Sequence, residues 1–349
     1  MVSITVAVRD AEKWVNGCLQ SLVDQSYPNI EIIAVNDGSS DLSGEYLQNW
    51  HDPEGKKKGI VVHVVQLPAS GLSAARQHAL KMAKGMWVAI TDIDCRPHPT
   101  WIENLVKQSK GIDDEDVVSV AGRVIFEEGD TVVSRIRAQE IESKYLKRSR
   151  RTTLANGPCS MFLRERLLQI GGFNPEWYHA EDMEVSLKLV QSGGVIIYTP
   201  DAVVQHVAES SLRVFLRKRA RDARAHMRII RKYPLRKRQG PGFDFIGSSW
   251  FVLALAPILG SAFIQLLRIG LTDVEFDGSA LGSQLMLAMI AIYLLLGVKL
   301  SKGYLGRGSL KTKISDSVQL PWILALWSLW LWKGITLGVM DAVFSKNGH

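Results

Sequence analysis

Two stretches near the C-terminal end, residues 247–267 and 280–298, contain no Asp, Glu, Lys or Arg. At 1.5 Å per residue, each reaches close to 30 Å as a helix, the thickness of a bilayer's hydrocarbon core. Such runs form either the buried helices of a soluble domain or membrane spans. Two in succession favour spans. A third run, 320–344, is interrupted by Lys333 and Asp341. Lys333 near mid-span would be costly in lipid unless it snorkels or faces a cavity. Trp322, Trp327, Trp330 and Trp332 suit an interfacial or re-entrant helix as well as a span, so both readings of this run stay open.

The flanking charges give these runs a direction. Residues 212–238 hold twelve Lys and Arg, while Leu212, Phe215, Leu216, Ala220, Ala223, Met227 and Ile230 recur at helical spacing. This is a basic amphipathic helix directly before the first span. Between the first two spans lie Asp273, Glu275 and Asp277; after the second come Lys299, Lys302, Arg307, Lys311 and Lys313. The positive-inside rule puts everything before residue 247 on the cytoplasmic side and the acidic hairpin outside. The expected organisation is a globular part over 1–210, a basic juxtamembrane segment over 211–246, and a membrane region over 247–344. The net charge of +7 asks for an anionic partner. A basic segment abutting a span fits an anionic lipid surface better than nucleic acid.

The first 200 residues read differently. Apolar runs at 4–8, 30–35, 60–65 and 87–90 alternate with helical patterns at 12–25 and 73–84. Alternating strands and helices predict a mostly parallel α/β sheet with helices on both faces. Ligands of such sheets sit beyond the carboxyl ends of the strands. Two polar clusters fall there: Asn36-Asp37-Gly38-Ser39-Ser40-Asp41 and Asp92-Ile93-Asp94. Nothing before residue 9 resembles a secretory signal. Cys18, Cys95 and Cys159 form no CxxC pair, which argues against a disulfide framework or zinc ribbon.

Asp92 and Asp94 offer hard oxygen ligands that a turn can bring to one Mg²⁺ or Mn²⁺ ion. By itself an Asp-x-Asp occurs often by chance. Its neighbours give it context: Gln25-Ser26-Tyr27-Pro28, the Asn36–Asp41 cluster, Ala75-Arg76-Gln77-His78-Ala79-Leu80, Gly171-Gly172-Phe173 and Glu181-Asp182-Met183-Glu184. In this order the blocks resemble glycosyltransferase family two over about the first 200 residues. The resemblance implies an inverting, metal-dependent enzyme with the GT-A fold, a Rossmann-like mixed sheet. The donor would be a UDP- or GDP-sugar. The first block departs from the family: Ala7-Val8-Arg9-Asp10 replaces Pro-Thr-Tyr-Asn, and Asn36 replaces an Asp.

Roles follow from the resemblance and from chemistry together. Asp37 at a strand end can accept N–H groups of a nucleobase, or simply make a turn. Arg76 can pair with diphosphate oxygens. Asp92 and Asp94 would hold the metal, joined by His206, where the family often has a His. Asp182 would be the general base and Glu181 an accessory group; the alternative for a carboxylate at a helix start is a plain cap. Arg217, Arg221 and Arg224 are expected to face lipid phosphates and the acceptor. His78 and His179 stay outside the candidate set.

The function expected is sugar transfer to a polyprenyl or other lipid-linked acceptor, by an integral membrane protein with a cytoplasmic catalytic domain. Glu181-Asp182 favours a hydroxyl acceptor over a polyprenyl phosphate, which is already anionic and needs little help from a base. A processive polysaccharide synthase is disfavoured because no Gln-x-x-Arg-Trp occurs between residues 212 and 238. A membrane-anchored binding protein with vestigial carboxylates is disfavoured by the intact Asp92, Asp94 and Asp182.

Overall fold

The computed structural model describes residues 1–50, 59–238, 250–271, 281–301 and 310–344. The acidic hairpin residues Asp273, Glu275 and Asp277, most of the linker after Arg238, and Lys302 and Arg307 lie outside the described residues.

The first 210 residues fold around one nine-stranded mixed sheet. Its parallel half is β3 (Val61–Leu67), β2 (Ile30–Asp37), β1 (Val2–Val8) and β4 (Trp87–Asp92), side by side in that order. Then come β8 (Ser160–Leu163), antiparallel to both neighbours, β6 (Val117–Phe126), β9 (Val195–His206) and β5 (Cys95–Pro97). The short β7 (Arg151–Thr152) pairs with β9. The βα alternation at 1–92 produces the parallel half as expected; in the other half β6 and β9 pair parallel, and the short β5, β7 and β8 supply the antiparallel pairings.

Strand β2 is buried along its whole length, because the sheet is covered on both faces. Ile32 and Ala34 point to one core, shared with Cys18, Leu19 and Leu22 of α1 (Val15–Val23) and Leu47 of α2 (Ser43–Asn49). Trp101, Ile102 and Leu105 of α4 (Trp101–Gln108) and Ile141 of α5 (Val132–Leu146) close the same side. Ile33 and Val35 point to the other, with Ala75, Ala79 and Leu80 of α3 (Leu72–Met82). Leu167 of α6 (Arg164–Gln169) and Val185 and Leu189 of α7 (Glu181–Gln191) complete it.

Beyond the sheet, α8 (Leu212–Lys232) starts at Ser211, whose side chain accepts the Val214 N–H at 3.4 Å. Helices α9 (Trp250–Leu271), α10 (Leu281–Ser301) and α11 (Leu310–Val343) follow. They correspond to the three apolar runs. Among the described residues, 314–343 of α11 is the one helical stretch long and apolar enough to cross a membrane by length and composition.

Candidate active site

Sheet register builds the site. Ala7 lies opposite Asp92 across β1 and β4, and Val8 opposite Asn36 across β1 and β2. The carboxyl ends of three parallel strands therefore meet at one edge, where ligands of such sheets bind. The antiparallel pairing of β5 with β9 sets Cys95 opposite His206. That register brings His206 to Asp94, 112 positions earlier in the chain, with Nε2 at 3.3 Å from Oδ2. The ring stacks on Phe126, centroids 4.1 Å apart. Its Nδ1 lies 2.8 Å from the Val207 carbonyl. A carbonyl only accepts, so Nδ1 donates there and Nε2 is left facing Asp94, where it pairs with the carboxylate or, beside a bound cation, would offer its lone pair.

Asp94, Cys95 and His206 have ligand atoms within 4.8 Å of one another. Burial pushes the Cys95 thiol well up, so it stays protonated and is a poor partner for a hard cation. Burial also raises the Asp94 carboxyl, with His206 opposing. A cation at this point would favour the ionised carboxylate, and an Asp oxygen with a tautomer-fixed His nitrogen is a donor set that fits Mn²⁺ or Mg²⁺.

Asp92 is turned toward a different partner. Its Oδ1 accepts from Arg76 Nη2 at 2.7 Å, and Nη1 of the same guanidinium bonds Glu181. Arg76 is buried, and the backbone of Gly157 lies against it so closely that a Cβ there would sit 2.8 Å from Nη2. The chain Asp92–Arg76–Glu181 thus joins the end of β4 to the start of α7. Asp182 follows, its Oδ2 accepting the Gly157 N–H and its Oδ1 the Met183 N–H, both at 2.8 Å. Burial, then the neighbouring Glu181, pushes the Asp182 carboxyl up; Arg76 opposes. Ala180 just before it adopts a left-handed backbone, φ 64°, a strained choice for a residue with a Cβ.

These groups line one cavity of about 500 Å³, roofed by α5 and α8. The roof is basic and internally paired. Glu140 takes Lys144 at 2.7 Å, Arg137 at 2.8 Å and Arg219 at 3.5 Å. His179 Nε2 donates to Asp222 Oδ1 at 2.8 Å, and Arg219 reaches the other oxygen at 2.9 Å. Burial opposes ionisation of Asp222, but Arg219 and His179 outweigh it and hold the carboxyl well below the usual range. Arg148 stacks over Tyr198, 4.9 Å from the ring centroid, and bonds Asn156 at 3.0 Å.

The structure brings Asp92, Asp94, Glu181, Asp182, Arg76, His206 and Arg221 to this cavity. Asp37 does not line it. Its carboxylate accepts the Ser70 N–H at 2.6 Å and the Gly71 N–H at 2.9 Å, and holds the loop that opens α3. Arg76, expected on diphosphate oxygens, has its two terminal nitrogens on carboxylates. The largest correction concerns α8. Its apolar stripe does not face headgroups: Phe215 and Leu216 pack with Val133 and Ile136 of α5 and with Ile323 and Trp327 of α11. Arg224, expected on lipid phosphates, holds Asp341 with two bonds of 2.6 and 2.7 Å. Arg217 is exposed and away from the cavity. Sequence reasoning missed His179, Asp222, Lys218 and Glu209. The position of His179 two residues before Glu181 was the one available signal; the rest are brought in by tertiary contacts.

Comparison with known proteins agrees with this fold. The model of glycosyl transferase family 2 matches residues 3–170, and that of glycosyl transferase family group 2 matches residues 87–337. The putative glycosyltransferase EpsH of Bacillus subtilis is 33% identical over 136 residues, 39% of this chain and 38% of that protein. The probable glycosyltransferase YdaM of the same organism is 24% identical over 244 residues, 66% of this chain and 56% of that one. The matched regions thus span about half or less of these relatives' own length. The mannosyltransferase PcManGT of Pyrobaculum calidifontis, solved with GDP-Man and Mn²⁺, superposes with a TM-score of 0.58 at 20% identity, covering 99% of this chain and 87% of that one. The fold expected from the motifs, a GT-A mixed sheet, is the one observed. With a family model matching 251 of its 349 residues, the chain belongs to glycosyl transferase family group 2.

Proposed function

We propose that this protein transfers a sugar, with inversion, from a nucleotide-sugar to a hydroxyl of a lipid-linked acceptor at the cytoplasmic face of a membrane. The observation that carries the reading is the convergence of the Asp94–His206 pair and Asp182 on one cavity at the carboxyl edge of the sheet. The family's name and the nucleotide-sugar bound in PcManGT support a nucleotide-sugar donor. A divalent cation held by Asp94 and His206 would neutralise charge on the departing nucleoside diphosphate.

The protein's own groups divide the work. Asp182, fixed by two backbone N–H groups, takes the proton of the acceptor hydroxyl as that oxygen attacks the anomeric carbon. The bond from that carbon to phosphate oxygen breaks, and its electron pair leaves with the diphosphate. Attack from the side opposite the leaving group gives inversion. Arg76 holds Asp92 and Glu181 at fixed separation, so the base keeps its position relative to the donor end of the cavity. Arg221 at the cavity wall is the arginine of α8 suited to acceptor phosphates. Elevation of the Asp182 carboxyl supports a hydroxyl acceptor, because a carboxylate titrating higher is the better base.

The test is a screen of radiolabelled UDP- and GDP-sugars against membranes containing the full chain and their extracted lipids. One donor should label a lipid fraction, with labelling lost in excess chelator and restored by Mn²⁺ or Mg²⁺. Full transfer in excess chelator would remove the metal role. Labelling of water-soluble products alone would remove the lipid acceptor.

A further inference from the structure

Helix α11 passes the length and composition test for a membrane span, yet its contacts do not allow it to stand across a bilayer. Asp316, Leu320, Trp327, Gly334 and Asp341 are buried and recur at the spacing of one helical face. The two acids of this stripe are both held by arginines from the catalytic half of the chain. Arg135 of α5 grips Asp316 with bonds of 2.8 and 2.6 Å. Arg224 of α8 grips Asp341 at the other end. The 25 residue steps from one acid to the other extend about 37 Å, more than the hydrocarbon thickness.

Between the clamps α11 runs beside α8. Phe215 meets Trp327 edge-on at 5.1 Å between centroids. At Gly334 the backbones touch: a Cβ there would sit 2.2 Å from the Ala220 carbonyl oxygen. A Cβ on Gly338 would sit 2.6 Å from the Met227 Cβ. Helix α8 carries nine Lys and Arg in 21 residues. Its other side is bound to the catalytic domain through Arg219, Asp222 and Lys232. Such a helix does not enter hydrocarbon, where each central Arg or Lys is costly. From Trp327 to Asp341, α11 therefore sits at the depth of α8.

We propose that α11 lies in the plane of the membrane as a monotopic helix, clamped by its acidic stripe to the catalytic domain and buried by its opposite, apolar stripe in the lipid. The inference rests on the membrane reading given above and changes what α11 contributes to it. The outward stripe holds Val318, Trp322, Leu329, Met340 and Val343, with Trp322 at 74% and Val343 at 72% exposure, while Trp332 beside it donates to the Leu253 carbonyl of α9. It is flanked by exposed Arg213, Arg217 and Arg231 of α8, a charge rim suited to anionic headgroups. Lys333, awkward in a span, is exposed and reaches over Trp330, 5.6 Å from the ring centroid. A helix lying in the interface leaves its ammonium in water.

The test is sidedness. Single cysteines replace Ser315 and Ala342, both exposed and near opposite ends of α11, in the full chain. Leu146→Cys, exposed on the catalytic domain, serves as reference. The native cysteines are buried. Sealed vesicles with the catalytic domain outward are treated with a membrane-impermeant maleimide, before and after detergent. Both S315C and A342C should label like L146C without detergent. If one of the two labels only after detergent, α11 crosses the bilayer and the proposal fails while the membrane reading stands. If the chain does not float with vesicles of mixed neutral and anionic phospholipid, or sediments as a soluble dimer, the membrane reading itself fails and the proposal with it.

Discussion

Asp182 is tied at both oxygens by backbone N–H groups, so its position is decided by main chain rather than by a long side chain's rotamer. Asp182→Asn removes the base, and because its NH2 must face one of those two N–H groups, Tm is read beside activity. Nucleotide affinity should stay near the wild-type value while transfer falls on the order of 10²–10⁴-fold, read by donor titration and single-turnover kinetics. Because burial raises the Asp182 carboxyl, the acid limb of kcat should lie above the ordinary Asp range near 4, and a pH–rate profile checks it. Arg76 tests a different property. Arg76→Gln strands Glu181, buried at its side, and half-strands Asp92. Breaking a buried pair by removing one partner costs about 3–5 kcal/mol, visible as a lowered Tm. The pair Arg76→Met with Glu181→Gln should recover much of that stability without recovering activity.

The element that joins the sheet domain to the C-terminal apolar helices is α8. Its pattern of charge in sequence suggests arginines in water and an apolar stripe in lipid. In the fold, Arg219 turns inward to carboxylates, the exposed Lys232 pairs with Glu184, and Arg228 stacks on Trp177, 4.1 Å from the ring centroid. The apolar stripe is covered by α5 and α11. Gly334→Leu should push the α8 and α11 backbones apart, costing at least the 1–3 kcal/mol typical of overpacking, about as a thermal shift assay resolves it. Gly260→Ala in α9, where nothing lies within 4 Å, should leave Tm unchanged or slightly raised.

At the scale of the whole molecule, stability has an acid edge that comes from the seam between the sheet domain and α8. Glu140 and Asp222 are both held below the usual carboxylate range despite burial, Glu140 chiefly by Lys144 and Arg137, Asp222 by Arg219 and His179. A depressed folded pKa contributes stability above the unfolded value, near 4, and loses it as pH falls further. Tm should therefore be flat near neutrality and drop as pH falls below about 4. Asp222→Asn should start lower at neutral pH and show a shallower drop. A Tm that holds to pH 3 in the wild type would contradict this seam.

Much of the site was legible before any fold was known. Asp92, Asp94, Glu181, Asp182, Arg76 and His206 each stand in a local motif at a strand end or helix start, and local pattern is what a sequence records directly. The parallel half of the sheet was legible for the same reason, through the continuous apolar runs of β1, β2 and β4 between helices, which a sheet covered on both faces requires. The partners of those residues were not. Which carboxylate meets Arg76, which face of α8 meets α11, and whether Arg224 reaches a phosphate or Asp341 depend on contacts between residues up to 181 positions apart, as for Arg135 and Asp316. Charge and hydropathy are properties of a residue, so the sequence determined which segments could touch water, metal or lipid. Pairing is a property of two surfaces brought together, and only the tertiary structure decided it.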